Sequence, residues 1–283
     1  MRKIKEEFME IVFALTASVS ILSVVLICIF LFVNGIPAMG KIGIIKFLTG
    51  TTWRPSNKIF GILPMIMGSF YVTLGAVVVG VPIGILTAVF MAKFCPPNLY
   101  KVLKPCINLM AGIPSVVYGF FGLSVMVPAT REIFGGDGNS MMTASLLLGI
   151  MILPTIIGVS ETAIRAVPEK YYEGALALGA THERSVFFTV IPAAKSGILA
   201  GVILGIGRAV GETMAVIMVA GNQPRMPRGI LAGVRTLTAN IVQEMGYAQG
   251  LHREVLIATG VVLFVFILGI NLIFSIIEGK EEE

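Results

Sequence analysis

Two charged residues interrupt a long apolar stretch of the sequence, and their side chains are the ones best suited to bind or neutralise an ion there. Arg208 is the thirteenth residue of the 26-residue stretch 196–221, and Glu212 follows four positions later. If this stretch is a helix that crosses a membrane, Arg208 lies near the bilayer midplane, where a charge costs several kcal/mol against lipid. Its guanidinium is therefore expected to face protein or water.

Small residues recur on the same predicted helix face as the two charges. Gly197, Gly201 and Gly205 are spaced by four residues, a pattern that lets a neighbouring helix approach closely. Each charge follows one of these glycines by seven residues, about two helical turns, so both charges fall near the glycine stripe. Arg208 and Glu212 are also four positions apart, which allows an ion pair within one helix.

Two interpretations of this pair remain open. In the first, Arg208 and Glu212 form a buried ion pair that locks a helical bundle and has only an architectural role. In the second, Arg208 meets an anion in a transport pathway, because a guanidinium is always charged and its rigid fork matches phosphate oxygens. Glu212 then neutralises Arg208 when no anion is present, and Thr213 offers a hydroxyl group to the same site.

The composition places the chain in a membrane. It has 283 residues, of which 56% are hydrophobic and 13% charged, and its mean hydropathy is +0.91. A soluble domain needs more charge than this to cover its surface. The few cysteines and histidines lack the spacing of a zinc site or a disulfide framework. We therefore expect no catalytic or metal site, and no nucleic-acid partner.

Runs without charged residues predict the membrane spans. Each holds at least 20 residues, enough to cross a hydrocarbon core of about 30 Å. The runs are 11–40, 59–92, 105–130, 138–160 and 255–277. Together with 196–221 they predict an all-α integral membrane protein, a polytopic bundle of about six transmembrane helices. The run 59–92 exceeds what one helix needs, so its first residues are predicted to form an elbow before the span.

Six spans would place both termini on the same side of the membrane. Basic residues are slightly more numerous on that side, which weakly favours the cytoplasm for both termini. The opposite side has a net positive charge, which would concentrate an anionic solute or dock an acidic partner, or reflects ordinary loop solvation. The first apolar run is too long, and its flank too acidic, for a cleaved signal peptide.

The longest polar stretch, between the fourth and fifth spans, predicts two short helices that project from the membrane. Pro168 can start the first helix, with Glu169 in the first turn, where the helix dipole favours an acid. Gly179 is suited to end it, because glycine readily adopts the left-handed conformation that closes a helix. Thr181 is predicted to cap the second helix, and Pro192 to end it.

This polar stretch resembles the "EAA" signature of ABC importer permeases. The matching residues are Glu173, Ala175, Gly179, Ile191 and Pro192. In that family the loop forms a cytoplasmic coupling helix seated in a groove of the ATPase subunit, so the resemblance assigns ATPase coupling to these residues. Two positions depart from the pattern, with Gly174 in place of the middle alanine and Thr189 in place of isoleucine. A plain amphipathic surface hairpin is the alternative interpretation.

The sequence around Arg208 narrows the resemblance. Residues 207–222, GRAVGETMAVIMVAGN, are similar to the phosphate-specific branch of the family, and to its PstC-type subunit rather than its PstA-type subunit. Residues 234–245, VRTLTANIVQEM, fit the same subunit, and the similarity covers nearly the whole chain. In this branch an arginine and a glutamate of the first run are implicated in phosphate transport, and they match Arg208 and Glu212.

The resemblance implies half of the translocation pathway of an ATP-driven phosphate importer in the bacterial inner membrane. The implied partners are a PstA-type permease in a heterodimer, two ATPase subunits, an extracytoplasmic phosphate-binding protein, inorganic phosphate and the lipid bilayer. Residues 1–58 would form an N-terminal membrane helix and outer loop, and 59–283 the permease transmembrane domain. The sequence has no Walker A pattern, so we expect no cofactor in this chain and ATP on the partner ATPases.

Two alternative functions stay open at this point. A permease of the same fold could carry another oxyanion, such as molybdate, sulfate or phosphonate, and competition between these anions during uptake would separate the cases. A secondary transporter or channel would need no ATPase, and ATP-independent transport by this chain alone would indicate it.

Overall fold

The computed structural model describes residues 2–279 and shows a helical bundle built around four long helices. They are α1 (Arg2–Ile42), α3 (Leu63–Val89), α7 (Met141–Ala166) and α14 (Leu251–Gly279). Each contains a segment long and apolar enough to cross a membrane. Helix α3 continues through a π-helical turn, Phe90–Phe94, a wider winding that often marks functional positions.

Two further membrane-length segments are bent. Helix α4 (Pro97–Gly112) meets α5 (Ser115–Phe121), which continues through a π-helical turn into α6 (Val127–Phe134), at an angle of 98°. The helical segment 182–193 meets α11 (Lys195–Gly211) at 70°. If each bent pair is one span, the described residues hold up to six spans. This confirms the predicted all-α membrane bundle.

The first bend corrects the predicted span 105–130, which is not one helix. Ile113 between α4 and α5 is extended, with φ −68° and ψ 126°. The cause is Pro114, because a proline ring disfavours the helical conformation of the residue before it. The predicted span is therefore divided between α4 and the α5–α6 segment, which meet at nearly a right angle and reach membrane length and apolarity only together.

The second correction concerns the stretch 196–221, which was predicted to be a single helix. Helix α11 ends at Gly211, and the chain resumes as α12 (Met214–Val219). Glu212 between them is extended, with φ −68° and ψ 130°. The prediction was wrong because apolar periodicity does not reveal that the glutamate side chain itself takes up backbone N–H groups at this point.

The connection between α1 and α3 is ordered. Helix α2 (Ile44–Thr49) leads into an antiparallel pair of two-residue strands, β1 (Trp53–Arg54) and β2 (Ile59–Phe60). Helix α3 begins only at Leu63, after the start of the apolar run, as the excess length of that run predicted. The predicted domain division after residue 58 falls inside this hairpin and stays a prediction.

Helix α7 is the centre of the bundle. Gly84 of α3 faces it so closely that an added Cβ would lie 2.8 Å from Ile156. Helix α11 also packs against α7, where a Cβ added at Gly205 would lie 2.8 Å from the same Ile156, and the buried core includes Leu148 and Ile152 of α7. Helices α1 and α14 pack together at the periphery, and the side chains of α1 from Met9 onward are mostly exposed, as expected of a lipid-facing helix.

The segment between α12 and α14 contains a buried helix, α13 (Leu237–Met245). Its carboxylate, Glu244, is 6% exposed and accepts hydrogen bonds from Trp53 at 3.0 Å and Arg235 at 2.6 Å. His252 at the start of α14 lies 2.8 Å from the same carboxylate. One side chain thus holds α13 against the β1–β2 hairpin and α14.

Candidate functional site

The seam between α7 and α11 is closed by the predicted glycine stripe. A Cβ added at Gly197 would lie 2.4 Å from Ala163, and one added at Gly205 would lie 2.8 Å from Ile156. Such distances allow only glycine without a shift of the neighbour. The prediction that a helix packs closely against this stripe is confirmed, and the neighbour is α7.

Arg208 follows the glycine stripe on α11 and faces α7. Its Nη1 donates to the Oγ1 of Thr155 at 3.3 Å, and the contact is partly buried. Among the side chains that the structure describes, Arg208 makes no ion pair. The expected ion pair with Glu212 is therefore wrong for this conformation, because the helix ends before Glu212 and the four-residue spacing no longer stacks the side chains.

Glu212 holds the break between α11 and α12. Its Oε1 accepts the backbone N–H groups of Thr213 at 3.0 Å and Ala215 at 3.2 Å. Its carbonyl accepts from the hydroxyl of Thr238 on α13 at 3.2 Å. The Thr213 hydroxyl donates to the carbonyl of Gly211 at 3.2 Å. The Glu212 carboxylate thus does the work of a helix cap, which stabilises the first turn of α12.

Arg208 contrasts with the buried carboxylates of the same chain. Glu161 on α7 pairs with Lys104 at 2.7 Å and with Arg165 at 2.8 Å. Glu244 pairs with Arg235 at 2.6 Å. Among the described side chains, the partner of the half-buried Arg208 is a neutral hydroxyl, although a charge removed from water is costly without a counter-charge. The arrangement suits a cation that receives its counter-charge from a bound anion.

The predicted hairpin forms a second candidate site. Helix α8 (Glu169–Ala177) begins after Pro168 with Glu169 in its first turn, as predicted. Gly179 has φ +83°, and the N–H of Ala180 donates to the carbonyl of Ala175 at 3.1 Å. This Schellman motif ends the helix at the predicted glycine.

The second arm of the hairpin differs in one respect from its prediction. Thr181 caps α9 (His182–Ser185) by accepting the N–H of Arg184 at 3.3 Å, as predicted. Pro192 does not end the arm. The arm continues from α9 through a π-helical turn (Val186–Val190) into α10 (Ile191–Ala193), and Pro192 lies in the first turn of α10. Proline is tolerated at the start of a helix, where its missing N–H is not needed. The arm ends instead at Ala194, where the 70° bend to α11 occurs.

Large apolar side chains are exposed on the hairpin. Leu178 is 91% exposed and Phe188 77% exposed. The predicted coupling residues lie close by: Glu173, Gly179 and Pro192 are exposed, and Ala175 and Ile191 are half-buried. An exposed apolar surface of this kind is typical of a docking site for another protein.

The hairpin is fastened to the end of α3. The ammonium of Lys93 lies 3.6 Å from the Glu169 carboxylate. The ring of Phe94 packs edge-on against His182 with centroids 4.7 Å apart, and His182 is also hydrogen-bonded to Tyr172 at 2.7 Å. Both arms of the hairpin therefore contact the end of α3.

Sequence reasoning did not identify Thr155 as the partner of Arg208. Thr155 lies in a charge-free run, where a single hydroxyl gives no periodic signal. Its only sequence clue is that a hydroxyl in a membrane helix is a ready partner for a charge on the facing helix. The paired carboxylates Glu161 and Glu244 were also missed as structural centres, because each has a partner far away in sequence, Lys104 for Glu161 and Trp53 for Glu244.

These features define a polytopic membrane protein with a half-buried cation next to a broken helix and a projecting helical hairpin. Residues 80–281 match the family described as "Binding-protein-dependent transport system inner membrane component". The chain belongs to this family of ABC transporter permease subunits.

Individual relatives agree with this assignment. The probable ABC transporter permease protein YqgH of Bacillus subtilis (strain 168) is 39% identical over 270 residues, covering 92% of this chain and 87% of the relative. The phosphate transport system permease protein PstC of Mesorhizobium japonicum is 34% identical over 276 residues, covering 89% and 84%. The chain is thus similar over most of its length to permeases named for phosphate transport.

Solved structures show the same fold. The crystal structure of a bacterial alginate ABC transporter, in complex with a periplasmic protein that holds an alginate pentasaccharide, matches with a TM-score of 0.64. The match covers 92% of both chains at 15% identity. At this identity the likeness concerns the fold alone.

Proposed function

We propose that the chain is one permease subunit of an ATP-driven phosphate importer and that Arg208 contacts the anion during its passage. The observation that carries the proposal is the Arg208 guanidinium, whose hydrogen-bond partner across the described residues is the Thr155 hydroxyl, at 3.3 Å. Glu212 is engaged with backbone N–H groups, so it does not neutralise the guanidinium in this conformation. A doubly charged oxyanion supplies the missing counter-charge, and its oxygens suit the guanidinium fork.

Phosphate is the proposed anion because several relatives are named for its transport. PstC proteins of Mesorhizobium japonicum and Pasteurella multocida are 34% and 32% identical to this chain. A named probable PstC of Methanocaldococcus jannaschii is 33% identical. The names of the relatives support phosphate as the anion. The position of Arg208 next to the break between α11 and α12 supports this residue as the contact site.

The hairpin is proposed to dock on an ATPase subunit. Its exposed Leu178 and Phe188 give it an apolar surface, and its attachment to α3 through Lys93 and Glu169 gives it a mechanical path to the bundle. Docking of this kind places the hairpin in the cytoplasm. By counting spans, both termini are then cytoplasmic, although Met1 and residues 280–283 lie outside the described part of the chain.

The remaining partners follow from the need for a complete pathway. One bundle of up to six spans forms half of the pathway, and a PstA-type permease is proposed to form the other half. An extracytoplasmic phosphate-binding protein is proposed to deliver the solute to the face opposite the hairpin. ATP binds to the ATPase subunits, and this chain supplies the pathway and the coupling surface.

The proposal is tested by purification and by uptake. The tagged chain is expected to copurify with a second permease and an ATPase. Proteoliposomes of that complex are expected to import labelled phosphate only when ATP is present on the side of the membrane that carries the ATPase subunits. A tenfold excess of unlabelled sulfate or molybdate should leave phosphate uptake unchanged. Stronger competition by sulfate or molybdate than by phosphate would reassign the solute, and ATP-independent uptake by this chain alone would reassign the class.

A further inference from the structure

We infer that Thr155 is a positioning residue for Arg208. Thr155 lies on the facing helix α7 and fixes one edge of the Arg208 guanidinium, so that the other edge of the guanidinium meets the anion. The inference rests on the proposed function and adds a residue that neither the family signature nor the charge pattern identifies. The observation behind it is the hydrogen bond from Arg208 Nη1 to Thr155 Oγ1 at 3.3 Å, since none of the carboxylates that the structure describes pairs with the guanidinium.

The glycine seam fixes the register that brings these two residues together. Helices α7 and α11 run antiparallel, since Gly197 faces Ala163 while Gly205, two turns later on α11, faces Ile156. The next turn of α11 places Arg208 opposite Thr155. Because the seam leaves no room for a side chain at Gly205, sliding of one helix against the other meets steric resistance. The geometry of Arg208 is therefore set by α7 as much as by its own helix.

A hydroxyl is well suited to this task. It accepts one hydrogen bond from the guanidinium without neutralising its charge, whereas a carboxylate would compete with the anion. Since a guanidinium has five N–H donors, one bond to Thr155 leaves the others available for phosphate oxygens. The Glu212 carboxylate is kept away from this role by its bonds to Thr213 and Ala215.

The two helices of the seam are the ones that flank the hairpin. Helix α7 ends at Ala166, just before α8, and α11 begins at Lys195, just after α10. A movement of the hairpin reaches Arg208 through its own helix and Thr155 through α7. The hydrogen bond between Arg208 and Thr155 thus keeps the two side chains aligned while the hairpin moves α7 and α11.

The test compares Thr155→Val with Thr155→Ser in proteoliposomes of the complete transporter. The measured quantity is phosphate imported per ATP hydrolysed, at a saturating concentration of the loaded binding protein. Thr155→Val keeps the shape but removes the acceptor, and is expected to lower this ratio about three- to tenfold, the range of an ordinary net hydrogen bond, because the bond is long and only partly buried. Thr155→Ser restores the acceptor and should stay within about twofold of the unchanged protein.

Thr162→Val is the matched control, because Thr162 is an exposed residue of the same helix whose hydroxyl donates to the Gly158 carbonyl. It should leave the ratio unchanged. An unchanged ratio in Thr155→Val, or an equal fall in both Thr155 variants, would overturn the inference. A purely structural role of Thr155 would lower the yield of complex and both rates together, without changing the ratio, and would also overturn it.

Arg208→Ala measured in parallel separates this inference from the function on which it rests. If Arg208→Ala imports phosphate normally, the proposed anion contact fails. If Arg208→Ala loses uptake while Thr155→Val keeps it, only the positioning role of Thr155 fails.

Discussion

The carboxylate of Glu161 lies 2.7 Å from the ammonium of Lys104, although the Glu161 side chain is only 1% exposed. Its other oxygen accepts hydrogen bonds from Tyr100 and Arg165, both at 2.8 Å. Arg165 also donates to the carbonyl of Met91 at 2.7 Å. This buried carboxylate ties α4 and the end of α3 to the last turns of α7, just before the hairpin.

Replacing Glu161 by glutamine is expected to destabilise the end of the bundle next to the hairpin. Lys104 and Arg165 would lose their shared counter-charge, but both keep partial contact with water, so the cost is about 1–3 kcal/mol. The midpoint of thermal unfolding of the purified complex should fall by several degrees. Glu132→Gln, at an exposed site, is the control, and equal midpoints for the two variants would contradict a stabilising role of Glu161.

The Glu244 cluster predicts a graded pair of effects. Trp53→Phe removes the indole N–H that donates to Glu244 and part of the buried ring, which should cost about 1–2 kcal/mol. Glu244→Gln removes the charge that Arg235 faces at 2.6 Å, which should cost more. Thermal unfolding of the two variants measures the order. A larger loss for Trp53→Phe would show that ring packing, rather than the carboxylate, holds α13 in place.

Gly179 predicts a conformational effect on coupling. Its φ of +83° penalises a side chain although nothing lies within 4 Å of an added Cβ. Gly179→Ala should cost about 1 kcal/mol of hairpin stability and lower the phosphate imported per ATP, whereas Gly179→Asn should cost less. Gly174→Ala is the matched control, because Gly174 lies inside α8 with open space around it. If both alanine variants behave alike, the left-handed turn has no part in coupling.

The glycine seam predicts a contrast between two glycines of the same helix. Gly205→Ala places a methyl group 2.8 Å from Ile156, whereas Gly207→Ala meets nothing within 4 Å. The first should lower both the thermal midpoint and phosphate uptake, because overpacking typically costs about 1–3 kcal/mol. The second should be tolerated. Normal uptake by Gly205→Ala would mean that α7 and α11 can separate without affecting the anion site.

The sequence predicted the elements whose signals are local. Charge-free run lengths gave the bundle of about six spans, and the spacing of Gly197, Gly201 and Gly205 gave the face that packs on a neighbour. Pro168 and Gly179 gave the bounds of the first hairpin helix, because capping depends on residues adjacent in the chain. Each of these signals lies within one continuous segment of the chain.

The features that the sequence did not predict depend on contacts between distant segments. The break at Glu212 requires its side chain to cap α12 and its carbonyl to meet Thr238 of α13. The apolar pattern on both sides of the break is continuous, so it predicted a single helix and an ion pair with Arg208. The partnership of Arg208 with Thr155 joins residues 53 positions apart, which periodicity along either helix does not reveal.

Phosphate uptake by the complete transporter carrying Arg208→Ala, normalised to the amount of assembled complex, tests most directly whether Arg208 receives the anion. Arg253→Ala, at an exposed arginine, is the matched control, and Arg208→Lys keeps the charge without the fork. We predict that Arg208→Ala loses at least about 100-fold in uptake, about 2.7 kcal/mol, that Arg208→Lys is intermediate, and that Arg253→Ala is unchanged. Normal uptake by an Arg208→Ala complex that assembles fully would contradict the assignment of the anion site.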